Sequence, residues 1–258
     1  MASPEADLNP IVSLRGAGKT FARGTVALDG FDLTVRAGEF VALLGPSGCG
    51  KSTALRIIAG LSEPSQGSVE LAAGGAGGLG FVFQEPTLMP WATVAGNVEL
   101  PLKLAHADMG VAHAAVSQAL AHVGLGDFAN AYPRELSGGM KMRASIARAL
   151  VTEPPLLLMD EPFAALDEIT RFKLNNDLLA LWRNLRRTVI FVTHSVFESV
   201  YLAQRIVVMT PRPGRVFTEI EIPAAYPRDE RFRTSAEYAG YCRQVAEALA
   251  AAMAEEGA

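Results

Sequence analysis

Hydrophobic positions recur with two periods along this chain. From Glu39 to Gly45 the residues are apolar on both faces, which predicts a short strand at the centre of a sheet. Ile11, Leu14 and Phe21, then Phe31, Leu33 and Val35 with period two, predict short antiparallel strands ahead of it. Ser52 to Gly60 reads as a helix closed by its last glycine. Val69–Leu71 and Gly80–Phe83 read as strands joined by a flexible Gly/Ala loop, Ala72 to Gly78. From Thr87 to Leu150 the period becomes helical, which marks a candidate helical subdomain. Alternation then resumes: strand 155–160, helix 168–186, strand 188–193, helix 196–203 and strand 205–210. A turn at Pro211–Gly214, a strand to Ile222 and a helix over about 235–255 complete the chain, whose first nine residues read as a frayed terminus. Strands alternating with helices imply an α/β fold with a parallel sheet and right-handed crossovers.

Composition narrows the function classes. The chain has 258 residues, 50% of them hydrophobic, enough for one large α/β domain with a subdomain. A net charge of −4 argues against a nucleic-acid-binding surface. Cys49 and Cys242 are far apart, and the start lacks the basic and apolar regions of a secretory signal, so both thiols are expected reduced in the cytosol. No apolar run approaches the ~18 residues of a membrane span. Val245–Ala254 comes nearest and is broken by Glu247. The chain is expected to be soluble by itself, with any membrane part in other chains.

Three motifs carry the chemistry. Gly45-Pro46-Ser47-Gly48-Cys49-Gly50-Lys51-Ser52-Thr53 fits G-x-x-x-x-G-K-[ST] between a strand and a helix. Its glycines let backbone N–H groups turn inward around phosphates, and the helix N-terminus adds partial positive charge. Lys51 is expected at the β- and γ-phosphates and Ser52 on Mg²⁺. Cys49 reads as a small residue in a loop that binds through its backbone, and also as a thiol whose alkylation would block the site. Gly16-Ala-Gly18-Lys19-Thr20 looks like the end of a second such loop, but Ser13 stands where its first glycine belongs and no helix follows. Pro155 to Glu161 is an apolar strand ending in two carboxylates: Asp160 suits a Mg²⁺ partner and Glu161 a base for attacking water. His194 ends the next strand, where parallel sheets gather ligands. His106 and His113, seven apart, could share a helix face; with His122 they read as surface histidines and not a zinc site.

The third motif is Ser137-Gly138-Gly139 at a helix start. Serine suits the N-cap, and the glycines permit close backbone approach, so this is a second anion site. It serves either another anion or the γ-phosphate of a nucleotide held by a second molecule. Together these residues resemble the nucleotide-binding subunit of an ATP-binding cassette (ABC) transporter, with Leu136-Ser137-Gly138-Gly139 as its signature motif. The resemblance implies a P-loop cassette over 10–222 with an N-terminal antiparallel β subdomain, an inserted helical subdomain at about 87–150 and a C-terminal helical extension, 223–258. It implies ATP and Mg²⁺ as ligands, Phe21 stacked on adenine and His194 as the switch histidine. Gln84 then stands at the joint of core and subdomain with a share in catalysis and Mg²⁺ binding. Ala165-Leu166-Asp167 crosses a dimer interface, where each signature closes the other copy's ATP site.

Met140 stands where that family usually has glutamine, and leaves the serine and glycine contacts intact. Phe83–Trp91, Leu136–Arg143 and the turn at 211–214 resemble ATPases of nitrate, sulfonate and taurine importers. The implied partners are a second copy, two transmembrane permease subunits and, indirectly, a periplasmic or lipoprotein solute-binding protein, with the chain on the cytoplasmic face of the inner membrane. The alternatives are lipid trafficking or export, and a non-transport ATPase. The latter is opposed by the absence of a long coiled coil and of a second cassette. Leu88, Met89 and Trp91 read either as the lining of a permease groove or as core. Arg228, Arg231 and Arg233 among acidic neighbours read as a solvated face, with the final helix packed on its own subunit or the dimer seam.

Overall fold

The computed structural model describes residues 10–72 and 78–255. The expected frayed start and most of the expected Gly/Ala loop lie outside the described residues. In chain order the elements are β1 (Pro10–Thr20), β2 (Val26–Arg36), β3 (Phe40–Leu44), α1 (Lys51–Ile58), β4 (Gln66–Leu71), β5 (Leu79–Val82), α2 (Val94–Leu104), α3 (Met109–His122), α4 (Gly138–Leu150), β6 (Leu156–Asp160), α5 (Glu168–Leu185), β7 (Thr188–Thr193), α6 (Val196–Leu202), β8 (Arg205–Met209), β9 (Val216–Glu221), α7 (Glu230–Arg233) and α8 (Ala236–Ala254).

Two sheets form. The smaller is antiparallel, in the order β2-β1-β4. The larger has the order β5-β6-β7-β3-β8-β9. Its first five strands run parallel, and β9 pairs antiparallel with β8. The edge therefore departs from the all-parallel expectation. A tight turn, not a crossover helix, joins β8 to β9, and a short turn can only reverse the chain. Phe21 lies just beyond β1 rather than in a strand. The abandoned second loop, Gly16 to Thr20, is part of β1.

Every residue of β3, β6 and β7 is buried, as their apolar runs require. The faces of β3 separate two cores. Phe40, Ala42 and Leu44 join the helices of the 94–203 region, while Val41 and Leu43 face α1 and the antiparallel sheet. Burying each large side chain of this strand stabilises by roughly 1.5–3 kcal/mol. The strand therefore holds its C-terminal end, where the phosphate loop begins, rigidly in place.

In the helical block, Asn97 is fully buried and organises the turn before α2. Its amide accepts from Met89 N–H at 2.6 Å and donates to the carbonyls of Met89, Ala92 and Thr93 at 3.0–3.2 Å. His106 sits in the turn between α2 and α3 with φ 55°, so it shares no helix face with His113. All three of His106, His113 and His122 are exposed.

The C-terminal arginines correct the sequence expectation. Arg231 is exposed, but Arg228 is 3% exposed and Arg233 is partly buried. Arg228 lies over the Tyr226 ring at 4.2 Å, and Arg233 over Tyr201 at 3.8 Å. Local charge alternation predicts a wet face. Instead aromatic rings desolvate both guanidinium groups, from the adjoining segment for Arg228 and from α5 and α6 for Arg233.

Replacing Asn97 with Ala is expected to destabilise the protein by about 2–3 kcal/mol, because buried backbone groups lose their partners. Urea denaturation measures this; an unchanged midpoint would show that the turn holds itself.

Candidate functional site

The phosphate loop leaves the end of β3 between segments that allow it almost no volume. A Cβ on Gly45 would stand 2.8 Å from Cys49 Sγ, and one on Gly50 2.6 Å from the Ala27 carbonyl. Gly48 and Gly50 also have φ of 79° and 109°, where side chains are strained. On the far side, a Cβ on Gly214 would meet Cys49 O at 2.1 Å. Backbone therefore touches backbone on both sides of the loop. Gly50 is the N-cap of α1 and has no side chain to satisfy the first-turn N–H groups, which leaves them to an anion.

Lys51 opens α1 and is 3% exposed. Its ammonium donates to Gly45 O at 2.8 Å and Pro46 O at 2.9 Å, and lies 3.5 Å from Glu161 Oε1. Ser52 Oγ donates to Asp160 Oδ1 at 2.8 Å. Burial pushes the Asp160 carboxyl above its ordinary range, and the Ser52 bond opposes that shift. A hydroxyl and a carboxylate at one point are hard oxygen donors of the kind Mg²⁺ takes, with water completing its shell.

Glu161 follows β6 with φ 44° and is anchored by its N–H to Val192 O at 3.1 Å. That left-handed turn ends the strand, and the carboxylate that follows it reaches two cationic or ionisable partners. Oε1 faces Lys51, and Oε2 lies 3.0 Å from His194 Nδ1. The order β6-β7-β3 explains the meeting: His194 leaves β7, between the strands that supply the other two.

These side chains border a cleft of about 180 Å³ whose lining includes Phe21, Thr25, Gly48, Thr53 and Arg212. Phe21 is 45% exposed there, with the Lys19 ammonium over its ring at 5.8 Å from the centroid. Of the residues named from sequence, Phe21, Gly48, Gly50, Lys51, Ser52, Thr53 and Glu161 meet in the cleft. Asp160 and His194 join by hydrogen bonds. Gly45 and Pro46 contribute carbonyls, and Ser47 is exposed at the crest. Cys49 is buried behind the loop, and burial raises its thiol pKa. The reading of Cys49 as a ready alkylation target is thereby weakened.

Other residues stand apart. Gln84 is exposed beyond β5 and does not line the cleft. Register aligns Val82 with Met159, so Gln84 stands at the level of Glu161 but one strand to the side. Ser137, Gly138, Gly139 and Asp167 form a separate group. Ser137 caps α4 by accepting from Met140 N–H at 3.3 Å. Asp167 caps α5 by accepting from Thr170 N–H at 2.9 Å, which holds its carboxyl below the usual range. A Cβ on Gly139 would fall 2.8 Å from Thr170 Cγ2, so this glycine is also required by the packing of α4 on α5.

Sequence reasoning missed Arg212, which donates to Gly48 O at 3.0 Å and 3.2 Å. The turn at 211–214 signalled a reversal and a family resemblance but no partner for Arg212, and a contact across 164 positions has no local signature. It also missed the layer behind His194. Thr193 Oγ1 donates to Glu198 Oε2 at 2.6 Å, and Arg171 Nε lies 3.7 Å from Glu198 Oε1.

The chain is similar to known proteins in sequence and in fold. A family profile described as ABC transporter matches residues 28–164. The chain is 48% identical over 213 residues to an aliphatic sulfonates import ATP-binding protein, SsuB 2, of Pseudomonas syringae pv. tomato, covering 83% of this chain and 88% of the relative. It is 48% identical over 223 residues to an ABC transporter ATP-binding protein of Methanocaldococcus jannaschii, covering 85% and 82%. Among solved structures it resembles cbiO1 from Clostridium perfringens, part of the transporter complex cbiONQ, with TM-score 0.76, 27% identity and 83% and 89% coverage. It resembles a dimeric bacterial cassette, MJ0796, with TM-score 0.73, 33% identity and 83% and 100% coverage. The same cassette is known in a post-hydrolysis state bound to ADP and Pi.

Cys49 in the folded protein is expected to react with iodoacetamide at least about tenfold more slowly than a free thiol near pH 8, because it is both buried and less ionised there. Its rate should rise with pH beyond the ordinary thiol range, since a raised pKa delays thiolate formation. Mass spectrometry of labelled peptides measures this, and labelling as fast as in urea would refute the packing.

Proposed function

We propose a function on one premise: the chain belongs to the ABC transporter family, as one of its ATP-binding, ATP-hydrolysing subunits. On our reading it powers import of a small solute of the nitrate, sulfonate or taurine class across the bacterial inner membrane. The observation that carries the catalytic reading is the Glu161 carboxylate, set between Lys51 and His194 at the mouth of the phosphate loop.

In this reading Phe21 offers its exposed ring to adenine, and the loop N–H groups of 48–53 receive the phosphates. Lys51 exchanges its loop carbonyls for the β- and γ-phosphate oxygens. That exchange frees Glu161 from the ammonium while His194 keeps it in place. Ser52 and Asp160 would hold Mg²⁺, with Gln84 assigned to the same ion from beyond the end of β5; the ion would supply neutralisation of phosphate charge. Glu161 orients a water and takes its proton as the oxygen attacks the γ-phosphorus, and ADP leaves with the bridging oxygen.

Ser137 and the glycines form a second anion site away from their own loop, which supports a head-to-tail dimer in which each copy's α4 terminus closes the other's cleft. A solved cassette of similar fold is dimeric. Asp167 then lies along the seam.

A groove of about 350 Å³ between β5, α2 and α4 supports permease docking. It is lined by Phe83 and the largely exposed Leu104 and not by Leu88, Met89 or Trp91: Leu88 packs against the core, and Trp91 is 76% exposed in the turn before α2. Arg148 braces it by donating to Pro86 O, Thr87 O and Thr87 Oγ1 at 2.8–2.9 Å. No helix among the described residues is long and apolar enough to cross a membrane. We therefore assign passage to two permease chains, fed by a solute-binding protein, with this subunit on the cytoplasmic face. The sulfonate class rests on the import relative.

Glu161→Gln is expected to bind ATP with near-unchanged affinity and to lose about 10²–10⁴-fold in turnover. Calorimetry with phosphate release checks both; normal turnover would remove Glu161 from this role. Ser137→Arg should leave ATP binding by the monomer intact and abolish hydrolysis. Lost binding with a retained dimer would place the second anion site in the same chain.

A further inference from the structure

His194 stands between β7 and a short helix whose buried face packs in the core and whose ends are bound from outside. The helix after it, α6, has only seven residues, far below the roughly 12–15 at which isolated helices become marginal. Both of its ends are tied to the C-terminal segment. At the first turn, Tyr238 Oη of α8 donates to Phe197 O at 2.9 Å. At the last turn, Arg228 Nη1 donates to the carbonyls of Val200, Tyr201 and Ala203 at 2.8–3.1 Å. These are orphan carbonyls of a helix terminus, and one buried guanidinium satisfies them. Its Nη2 donates to Ile222 O and Ala224 O at 3.0 and 3.1 Å, which ties the same helix to the chain after β9. Tyr201 Oη lies 2.7 Å from both Asn176 Oδ1 on α5 and Arg228 O.

We propose that the C-terminal segment acts as a clamp on α6, and that Arg228 and Tyr238 are positioning residues that keep His194 against Glu161 during ATP hydrolysis. The inference rests on the assignment of Glu161 and His194 above. Neither clamp residue lines the nucleotide cleft. Their effect passes through the helix, whose N-cap Ser195 adjoins His194 and accepts from Glu198 N–H at 3.3 Å. A catalytic pair held at 3.0 Å tolerates little drift of that helix. A misplacement near 1 Å can cost about 10²-fold in rate.

The test uses the full chain with Tyr238→Phe, Arg228→Lys and each combined with His194→Ala. Tyr238→Phe keeps the ring and removes one donor, so it should fold even where Arg228→Lys does not. For the folded variants, ATP affinity should stay within about twofold of the parent, while kcat falls about 3–10-fold for Tyr238→Phe and up to about 10²-fold for Arg228→Lys. In the His194→Ala background, Tyr238→Phe should change kcat no further, because both act through one contact. Parental kcat in folded Tyr238→Phe overturns the clamp, and so does an undiminished additive loss in the double variant. Parental turnover in His194→Ala alone instead overturns the histidine's role in the site, and the proposal falls with its premise.

Discussion

The close approach of three backbones around residues 45–50 is the constraint on which the rest of this structure depends. The loop is wedged between Ala27 on β2 and Gly214 in the turn before β9, with no volume for a side chain on Gly45, Gly50 or Gly214. Segments far apart in sequence must therefore be in place before the cradle exists. Gly214 N–H donates to Ala27 O at 2.9 Å, so the two walls are also fastened to each other. The antiparallel edge strand β9 is the means of delivering that wall: a parallel strand would carry the chain away from the loop. A departure from regular parallel topology is thus part of the nucleotide site's construction.

Charge is arranged against the same frame. Lys51 is buried and cationic, and two carbonyls plus Glu161 offset the cost of that burial. Glu161 is held in turn by His194, and behind His194 stand Thr193, Glu198 and Arg171. The result is two polar groups side by side, Lys51–Glu161–His194 and Thr193–Glu198–Arg171, between α1 and the start of α5.

Much of this was legible in the sequence because it is local. The loop at 45–53 and the Asp160-Glu161 strand end announce themselves through glycine content, apolar runs and the residue that ends each run. Ser137 was readable as a cap for the same reason. Gly139 was only half legible: its freedom from a side chain was evident, but Thr170, which demands it, lies in another element. Arg228 misled because charge alternation takes no account of the Tyr226 and Phe232 rings beside it, nor of the α6 carbonyls 25–28 positions away that bind its guanidinium. The edge strand's direction, Arg212 on Gly48 and the distance of Gln84 from the cleft are equally non-local, and no window of sequence contains them.

The contact between Gly139 and Thr170 has a thermodynamic consequence. It sets the start of α4 close against the start of α5, and α5 begins only seven residues after Glu161. On the proposed function the two helix starts belong to two binding surfaces of one molecule, so occupancy at either becomes a ligand-dependent term in the free energy of the other. Reciprocity then fixes the size of the effect: whatever factor nucleotide in the cleft applies to affinity at the Ser137 end, an anion or neighbour engaged at that end applies to nucleotide. Two such molecules meeting face to face would share one binding equilibrium between both clefts, and filling the first would set the affinity of the second.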